Sequence, residues 1–275
     1  MTAPRIPDAS SRDVPPPGGV EPVTAPPTRL PAGTRAAIVL RLLAIQGSWN
    51  YETLLGNGIA FCIEPALRLL PGGPGTPRFR AALARQSQYF NAHPYLAGVA
   101  VGALARVELD GEAPERIERF RTALTGPLGS VGDRLVWAGW LPFCSLVALL
   151  AFGLGAGPVA VVALFLGLYN AGHIGLRIWG LHIGWAHGMR VAPALAHPLL
   201  RRGPQEIARA TAFAAGIALP LAFSRVIGPG RFVLGGVLLT VLAGAVLVIR
   251  LEGRVEGWRL ALLALVAFAL ISVAR

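Results

Sequence analysis

The sequence predicts an all-α polytopic membrane protein with an amphipathic N-terminal helix, broken or re-entrant segments and about five to seven membrane-embedded helices. Three observations carry that expectation. Of 275 residues, 54% are hydrophobic and only 14% charged, where a soluble domain carries about a quarter charged residues. The charges are segregated, which leaves apolar blocks of bilayer length between them. Pro and Gly interrupt several blocks, and backbone of that kind is tolerated at membrane depth only when it is buried or lines a cavity.

The formal net charge of +11 comes with no lysine, so all 25 basic residues are arginine. The arginines mostly sit at the ends of apolar blocks, as charges that fix topology do. Nucleic-acid binding wants a basic face with interleaved aromatics on a soluble fold, and no nucleic-acid partner is expected. Cys62 and Cys144 lie far apart in apolar surroundings and read as small buried hydrophobes. Five histidines form no HExxH pattern, and His182 and His187, five apart, fall on different helix faces. No metal and no cofactor is expected. Without a P-loop, a GxSxG or paired soluble carboxylates, the chain carries no catalytic residues of its own.

Residues 1–33 are Pro-rich with almost no aromatics, a composition that cannot bury enough apolar area to offset ordering, and read as a disordered cytoplasmic tail. They lack the order of a secretory signal. Thr34 is a candidate cap for a helix running from Arg35 to Arg41, with arginines at both ends and apolar residues between, lying on the membrane surface. Next comes the polar cluster Gln46-Gly47-Ser48-Trp49-Asn50-Tyr51-Glu52, at the mouth of an apolar block over 54–70. Glu64, followed by Pro65, lies inside that block. A charge at the bilayer centre costs about 2.5–3.5 kcal/mol, so this acid faces protein or water, or the block does not cross in one piece.

Pro71-Gly72-Gly73-Pro74-Gly75 breaks the chain. Arg78, Arg80 and Arg85 then decorate a short amphipathic helix leading to Gln88-Tyr89-Phe90-Asn91-Ala92-His93-Pro94-Tyr95. The apolar block 96–107 is too short to cross about 30 Å as a helix, and the charged stretch 108–121 is aqueous. Leu124-Thr125-Gly126-Pro127-Leu128-Gly129-Ser130-Val131-Gly132-Asp133-Arg134 packs three glycines and a proline at a membrane edge and predicts non-helical backbone.

Two strong spans follow over 135–154 and 159–179, joined by the uncharged turn Gly155-Ala156-Gly157-Pro158. The positive-inside rule places that turn outside and Arg134 inside. The blocks 207–226, 232–249 and 260–274 then run out, in and out. The N-terminus is cytoplasmic when the two early blocks contribute an even number of crossings. Gly180, Gly184 and Gly188 repeat every four residues and form a smooth strip for helix packing. His173 and Arg177 share a helix face and require a carboxylate or a backbone carbonyl in so apolar a setting, Glu64 and Glu52 being the obvious carboxylates.

The clusters at 46–52 and 91–93 combine carboxylate, amide, imidazole and indole groups beside broken apolar segments. Sugars are bound by such mixtures, since amides and carboxylates hydrogen-bond hydroxyls while an aromatic ring packs on the apolar sugar face. Interfacial anchoring by Trp49 and Tyr51, with the polar groups capping helices, is the competing structural reading.

At these motifs the chain resembles the IID membrane subunit of the mannose–fructose–sorbose family of the bacterial sugar phosphotransferase system. The matching stretches are the 46–52 cluster, residues 58–67, Phe90-Asn91-Ala92-His93-Pro94-Tyr95 and the 124–133 stretch, which is similar to the family's Gly-Pro-Leu-Ala-Gly-[Val/Ile]-Gly-Asp-Pro. Tyr169-Asn170, Arg177 and residues 180–188 match more weakly. The order is kept over roughly residues 41–190, and 34–275 is identified as one IID-like transmembrane domain.

The resemblance implies a membrane complex. A IIC membrane subunit would share the sugar path, moving substrate by an elevator-like shift, within a homo-oligomer of heterodimers in the bacterial inner (cytoplasmic) membrane. Soluble IIAB proteins would carry phosphate to the hexose, with IID itself not phosphorylated. Trp49, Asn50, Glu52, Asn91, His93 and Asp133 would line or support the sugar site. The alternative is a divergent regulatory membrane protein of an incomplete phosphotransferase system without sugar transport. Three departures mark divergence. Arg134 stands where the family has proline and is placed to pair with Asp133. The stretch after Met189 lacks an Asp-Met-Gly-Gly-Gly pattern. The outside region near the C-terminal spans shrinks to about residues 227–230.

Overall fold

The computed structural model describes residues 29–227. Most of the expected tail, and the expected spans over 232–249 and 260–274, lie outside the described residues. Among the described residues the structure is helical, with isolated β-bridges and no strand.

Helix α1 (Ala32–Leu43) starts at Pro31, so Thr34 falls in its first turn and no side chain caps it. The pyrrolidine ring is already set for a helix start, which moves the boundary two residues ahead of the Thr34 expectation. Ile38 and Leu42 are buried while Leu40 and Leu43 stay exposed. Helix α2 (Gly56–Leu67) has 12 residues, about 18 Å of helix, so the apolar block 54–70 does not cross a bilayer in one piece. Its acid is held by two arginines: Arg41 Nη1 donates to Glu64 Oε2 at 2.7 Å and Arg68 Nε to Oε1 at 2.6 Å. Burial also pushes the Cys62 thiol up to about 12, leaving it a small apolar filler. In helix α3 (Pro77–Gln86), Thr76 Oγ1 accepts the Phe79 N–H at 3.2 Å, with proline in the first turn.

Helix α4 (Ala97–Leu109) buries every residue except Arg106. A helix apolar all round belongs in the middle of a protein, and α4 is packed by α7, α2, α5 and α1. Helix α5 (Pro114–Gly132) runs through a π-helical segment (Asp133–Trp140) into α6 (Leu141–Gly153) as one unbroken 40-residue pole. The expected non-helical backbone over 124–134 is therefore overturned. Pro127 sits inside α5, and the irregularity comes later, as a π-segment that still bonds its backbone internally, the condition lipid imposes.

Helix α7 (Pro158–His187) is 30 residues long and is followed by two four-residue helices, α8 (Ala192–Leu195) and α9 (Pro198–Arg201), and by α10 (Gly203–Ile227), which packs along α6. Three helical stretches, Pro114–Gly153, Pro158–Arg190 and Gly203–Val226, are long and apolar enough to cross a membrane. They leave large apolar side chains such as Val159, Val162, Ile178 and Phe213 exposed, and the chain is a membrane protein.

The contact between α4 and α7 is glycine on glycine. A Cβ on Gly184 would stand 2.1 Å from the Val99 carbonyl oxygen, and one on Gly102 would stand 2.4 Å from the Leu181 carbonyl oxygen. The small-residue strip thus allows backbone to meet backbone. Gly188 leaves the strip: with φ at 50° it ends α7, a conformation glycine adopts at little cost.

Candidate substrate site

Two turns bring the sequence motifs together. Asn50 Oδ1 accepts the backbone N–H groups of Glu52 and Thr53, both at 2.9 Å, and its Nδ2 donates to Thr53 Oγ1 at 2.9 Å. This side-chain-closed turn delivers Leu54 with φ at 49°. From it, Leu55 N–H donates to the Phe90 carbonyl at 3.0 Å, and Phe90 N–H to the Thr53 carbonyl at 3.1 Å. The 46–52 motif and the 88–95 motif are therefore joined through their backbones.

The strap over 86–93 is clamped from below. Arg121 donates to the carbonyls of Gln86, Gln88 and Tyr89, and its guanidinium covers the Phe90 ring at 5.0 Å. Glu108 accepts both Arg85 bonds, at 3.0 and 2.9 Å, and the Gln86 amide at 2.7 Å. Beyond the strap, His93 N–H donates to the Leu128 carbonyl at 3.3 Å. A Cβ on Gly132 would lie 2.1 Å from His93 Cβ, so that glycine is the seat of the histidine rather than a helix breaker.

His93 is buried and opens an aromatic cluster. Its ring lies 5.0 Å from Tyr95 and 5.1 Å from Trp137 of the π-segment. Tyr95 stacks on His173 of α7 at 4.8 Å and shares a 2.8 Å hydroxyl contact with Tyr169. Arg177 lies 4.5 Å over the Tyr95 ring and donates to the Pro94 carbonyl at 3.0 Å. Of the two partners expected for Arg177, the carbonyl is the one found. Neither Glu64, already bound by two arginines, nor the exposed Glu52 reaches it. His173 and Asn170 share a 2.7 Å contact, and Trp140 Nε1 is close to Gly172, where a Cβ would stand 2.2 Å away.

Four buried polar atoms in and beside this cluster find no hydrogen-bond partner among the described residues: His93 Nε2, His173 Nδ1, Arg177 Nε and Trp140 Nε1. Burial, and secondarily the charge of Arg177, pushes the His93 imidazole down to about 4. It is therefore a neutral ring whose Nδ1 accepts the Tyr95 N–H at 3.2 Å, which leaves the free Nε2 as the donor. Trp137 is 44% exposed and forms the open side.

Of the six residues expected from sequence, only His93 is in the cluster. Trp49 packs edge-on against Tyr51 at 4.8 Å in an exposed turn, Asn50 builds that turn, and Glu52 is exposed beside it. Asn91 is exposed next to Gly129, and Asp133 is exposed at the start of the π-segment. Arg134 does not pair with Asp133; its Nε donates to the Ser130 carbonyl at 3.3 Å. Tyr95 and Tyr169 enter the sequence reading only through the family match, and Trp137 and Trp140 do not enter it. The available signal was the aromatic spacing across 137–140 and 169–173, masked by the apolar spans around it.

Known proteins share this framework. The family model for the PTS system mannose/fructose/sorbose family IID component matches residues 29–207. The fructose permease IID component of Bacillus subtilis is 32% identical over 169 residues, 58% of each chain. The mannose-specific EIID component of Escherichia coli K12 is 29% identical over 171 residues, 60% of this chain and 59% of that one. The matched region thus spans under three-fifths of these relatives' length. Among solved structures, the mannose transporter ManYZ in complex with microcin E492 aligns with a TM-score of 0.54 at 20% identity, covering 90% of this chain and 96% of that one. A second solved membrane protein aligns at 0.64 and 22% identity with the same coverage. These two show a shared fold. With the family model spanning both the strap and the aromatic cluster, the chain belongs to the IID components of the mannose/fructose/sorbose family of the phosphotransferase system.

Proposed function

We propose that this chain forms, with a IIC membrane subunit, the path by which a hexose crosses the bacterial inner membrane, its N-terminus on the cytoplasmic side. Soluble IIAB proteins phosphorylate the sugar, and this chain takes no phosphate and performs no chemistry alone. The observation that carries the reading is the aromatic cluster with four unpaired buried polar atoms. An unpaired buried polar group costs about 1–3 kcal/mol, and sugar hydroxyls relieve that cost while Trp137 and Tyr95 pack on the apolar sugar face. His93 and His173, on either side of Tyr95, orient the ring. Trp49, Glu52, Asn91 and Asp133 are exposed and Asn50 is half-buried, and these residues act in the site where the IIC subunit covers them. A homo-oligomer of such heterodimers completes the assembly.

The test is co-expression with an adjacent IIC-like subunit, affinity purification and a hexose titration of the complex. Binding weakened about tenfold or more by Trp137→Ala and by His93→Gln, about 1.4 kcal/mol each, supports the reading. Glu52→Gln reports separately on the rim. A complex that assembles but binds no hexose shifts the function to regulation of an incomplete system, and failure to assemble with a IIC-like subunit removes the transport reading.

A further inference from the structure

A cavity lies away from the aromatic cluster, among α1, α2 and α3. It has a volume of about 630 Å³ and opens broadly to the surface. Its floor is apolar, made by Ala60, Phe61, Leu83 and Ala84, and its rim carries Arg41, Arg68 and Arg80. One acid, Glu64, lies between the arginines and engages two of them, Arg41 at 2.7 Å and Arg68 at 2.6 Å. Three cations against one carboxylate leave two positive charges over. Arg80 is exposed and makes no side-chain hydrogen bond or ion pair within the described residues, and Arg68 is 58% exposed. The charge is regional as well: from Arg29 to Gln86 the chain carries seven arginines and two glutamates.

We propose that this cavity holds the phosphate headgroup of an anionic phospholipid, the headgroup against Arg68 and Arg80 and the chain over Phe61 and Leu83. Guanidinium groups match phosphate with paired donors, where ammonium acts as a point charge. A basic pocket beside membrane-embedded helices is an established kind of headgroup site. The apolar floor separates this ligand from a free phosphate, which gains nothing from Phe61 or Leu83. Arg41 also lies over the Phe61 ring at 4.7 Å, which ties the rim to the apolar lining. Glu64 acts as a positioning residue that aims Arg41 and Arg68 at the opening. The proposal is independent of the sugar site, since none of its residues belongs to the aromatic cluster.

The test uses the full chain purified in detergent and titrated with short-chain phosphatidylglycerol, with phosphatidylcholine and inorganic phosphate in parallel. Bound lipid is counted by native mass spectrometry. The expected result is at least tenfold tighter binding of phosphatidylglycerol than of phosphatidylcholine, reduced at least fivefold by Arg80→Gln and further by Arg68→Gln with Arg80→Gln. Arg80 has no side-chain partner among the described residues, so its variant keeps the fold and must elute as the wild type does. Equal binding of the two lipids, or phosphatidylglycerol binding unchanged in the double variant, overturns the proposal. Inorganic phosphate binding as tightly as phosphatidylglycerol also overturns it, in favour of a soluble phosphate ligand.

Discussion

Replacing Gly184 with alanine tests the contact between α4 and α7. In an exposed helix the change is favourable by about 1 kcal/mol, because glycine gives up the most backbone freedom. At Gly184 the new methyl would stand 2.1 Å from the Val99 carbonyl oxygen and 2.8 Å from the Ala103 nitrogen. Both are backbone atoms of a buried helix, so no rotamer change relieves them. The two helices must part by roughly 1 Å along the contact, which belongs with overpacking changes that cost about 1–3 kcal/mol or more. Set against the propensity gain, the net expectation is a destabilisation of about 2 kcal/mol, or a fall in Tm of about 4–8 °C for a protein of this size. Gly175 lies on the same helix with nothing within 4 Å of its added methyl and serves as the internal control, with a small rise in Tm expected for Gly175→Ala. Thermal unfolding of both variants in one detergent decides it. If Gly184→Ala melts at or above the wild type, the backbone-to-backbone reading of this contact is wrong.

Three other outcomes follow from the geometry. His93 is held neutral down to about 4 by burial and the nearby Arg177 charge, while an unfolded histidine titrates near 6.5. The unfolded state therefore binds more protons between those values, and stability falls by about 3 kcal/mol as pH drops from about 6.5 through 4; His93→Gln should flatten this limb of a stability–pH profile. Glu108 is 4% exposed and paired with Arg85, so Glu108→Leu alone should destabilise by about 3–5 kcal/mol, whereas Leu at both positions recovers most of that loss in the same denaturation assay. Thr76→Ala removes the α3 cap and should cost about 1 kcal/mol, seen as faster amide exchange across Pro77–Gln86.

The membrane character of the chain and its family were legible because they rest on long apolar blocks and on motifs of several residues in order. The failures have a common physical source. Glycines at 126, 129 and 132 were read through their backbone freedom, yet what matters at Gly132 is the absence of a side chain where His93 must sit. Periodicity along one chain cannot show a neighbour's surface. Of the carboxylate or backbone carbonyl expected for Arg177, a carbonyl takes the role; that it is the Pro94 carbonyl is invisible in a residue-by-residue reading. His93 and Tyr169 lie in stretches that match the family, whereas Trp137 and Trp140 were hidden among residues of similar hydrophobicity. The exposed positions of Trp49, Glu52 and Asp133 follow from a turn closed by the half-buried Asn50 side chain and from the start of the π-segment, neither of which a motif match describes.

The π-segment acts as a phase shifter between two halves of one rod. Each i→i+5 bond encloses one more residue than an α-turn, and each residue of an α-helix advances the side chains by about 100°. Leu135, Val136 and Gly139 point into the protein while Trp137 meets His93 and Trp140 meets Gly172, an angular setting fixed by the length of that winding. Deleting a single residue from Asp133–Trp140 would let it relax toward α-geometry and swing α6 about its axis relative to α5. Point substitutions leave that angle alone, so a one-residue deletion removes the mutual aim of the indoles while leaving every remaining side chain chemically intact.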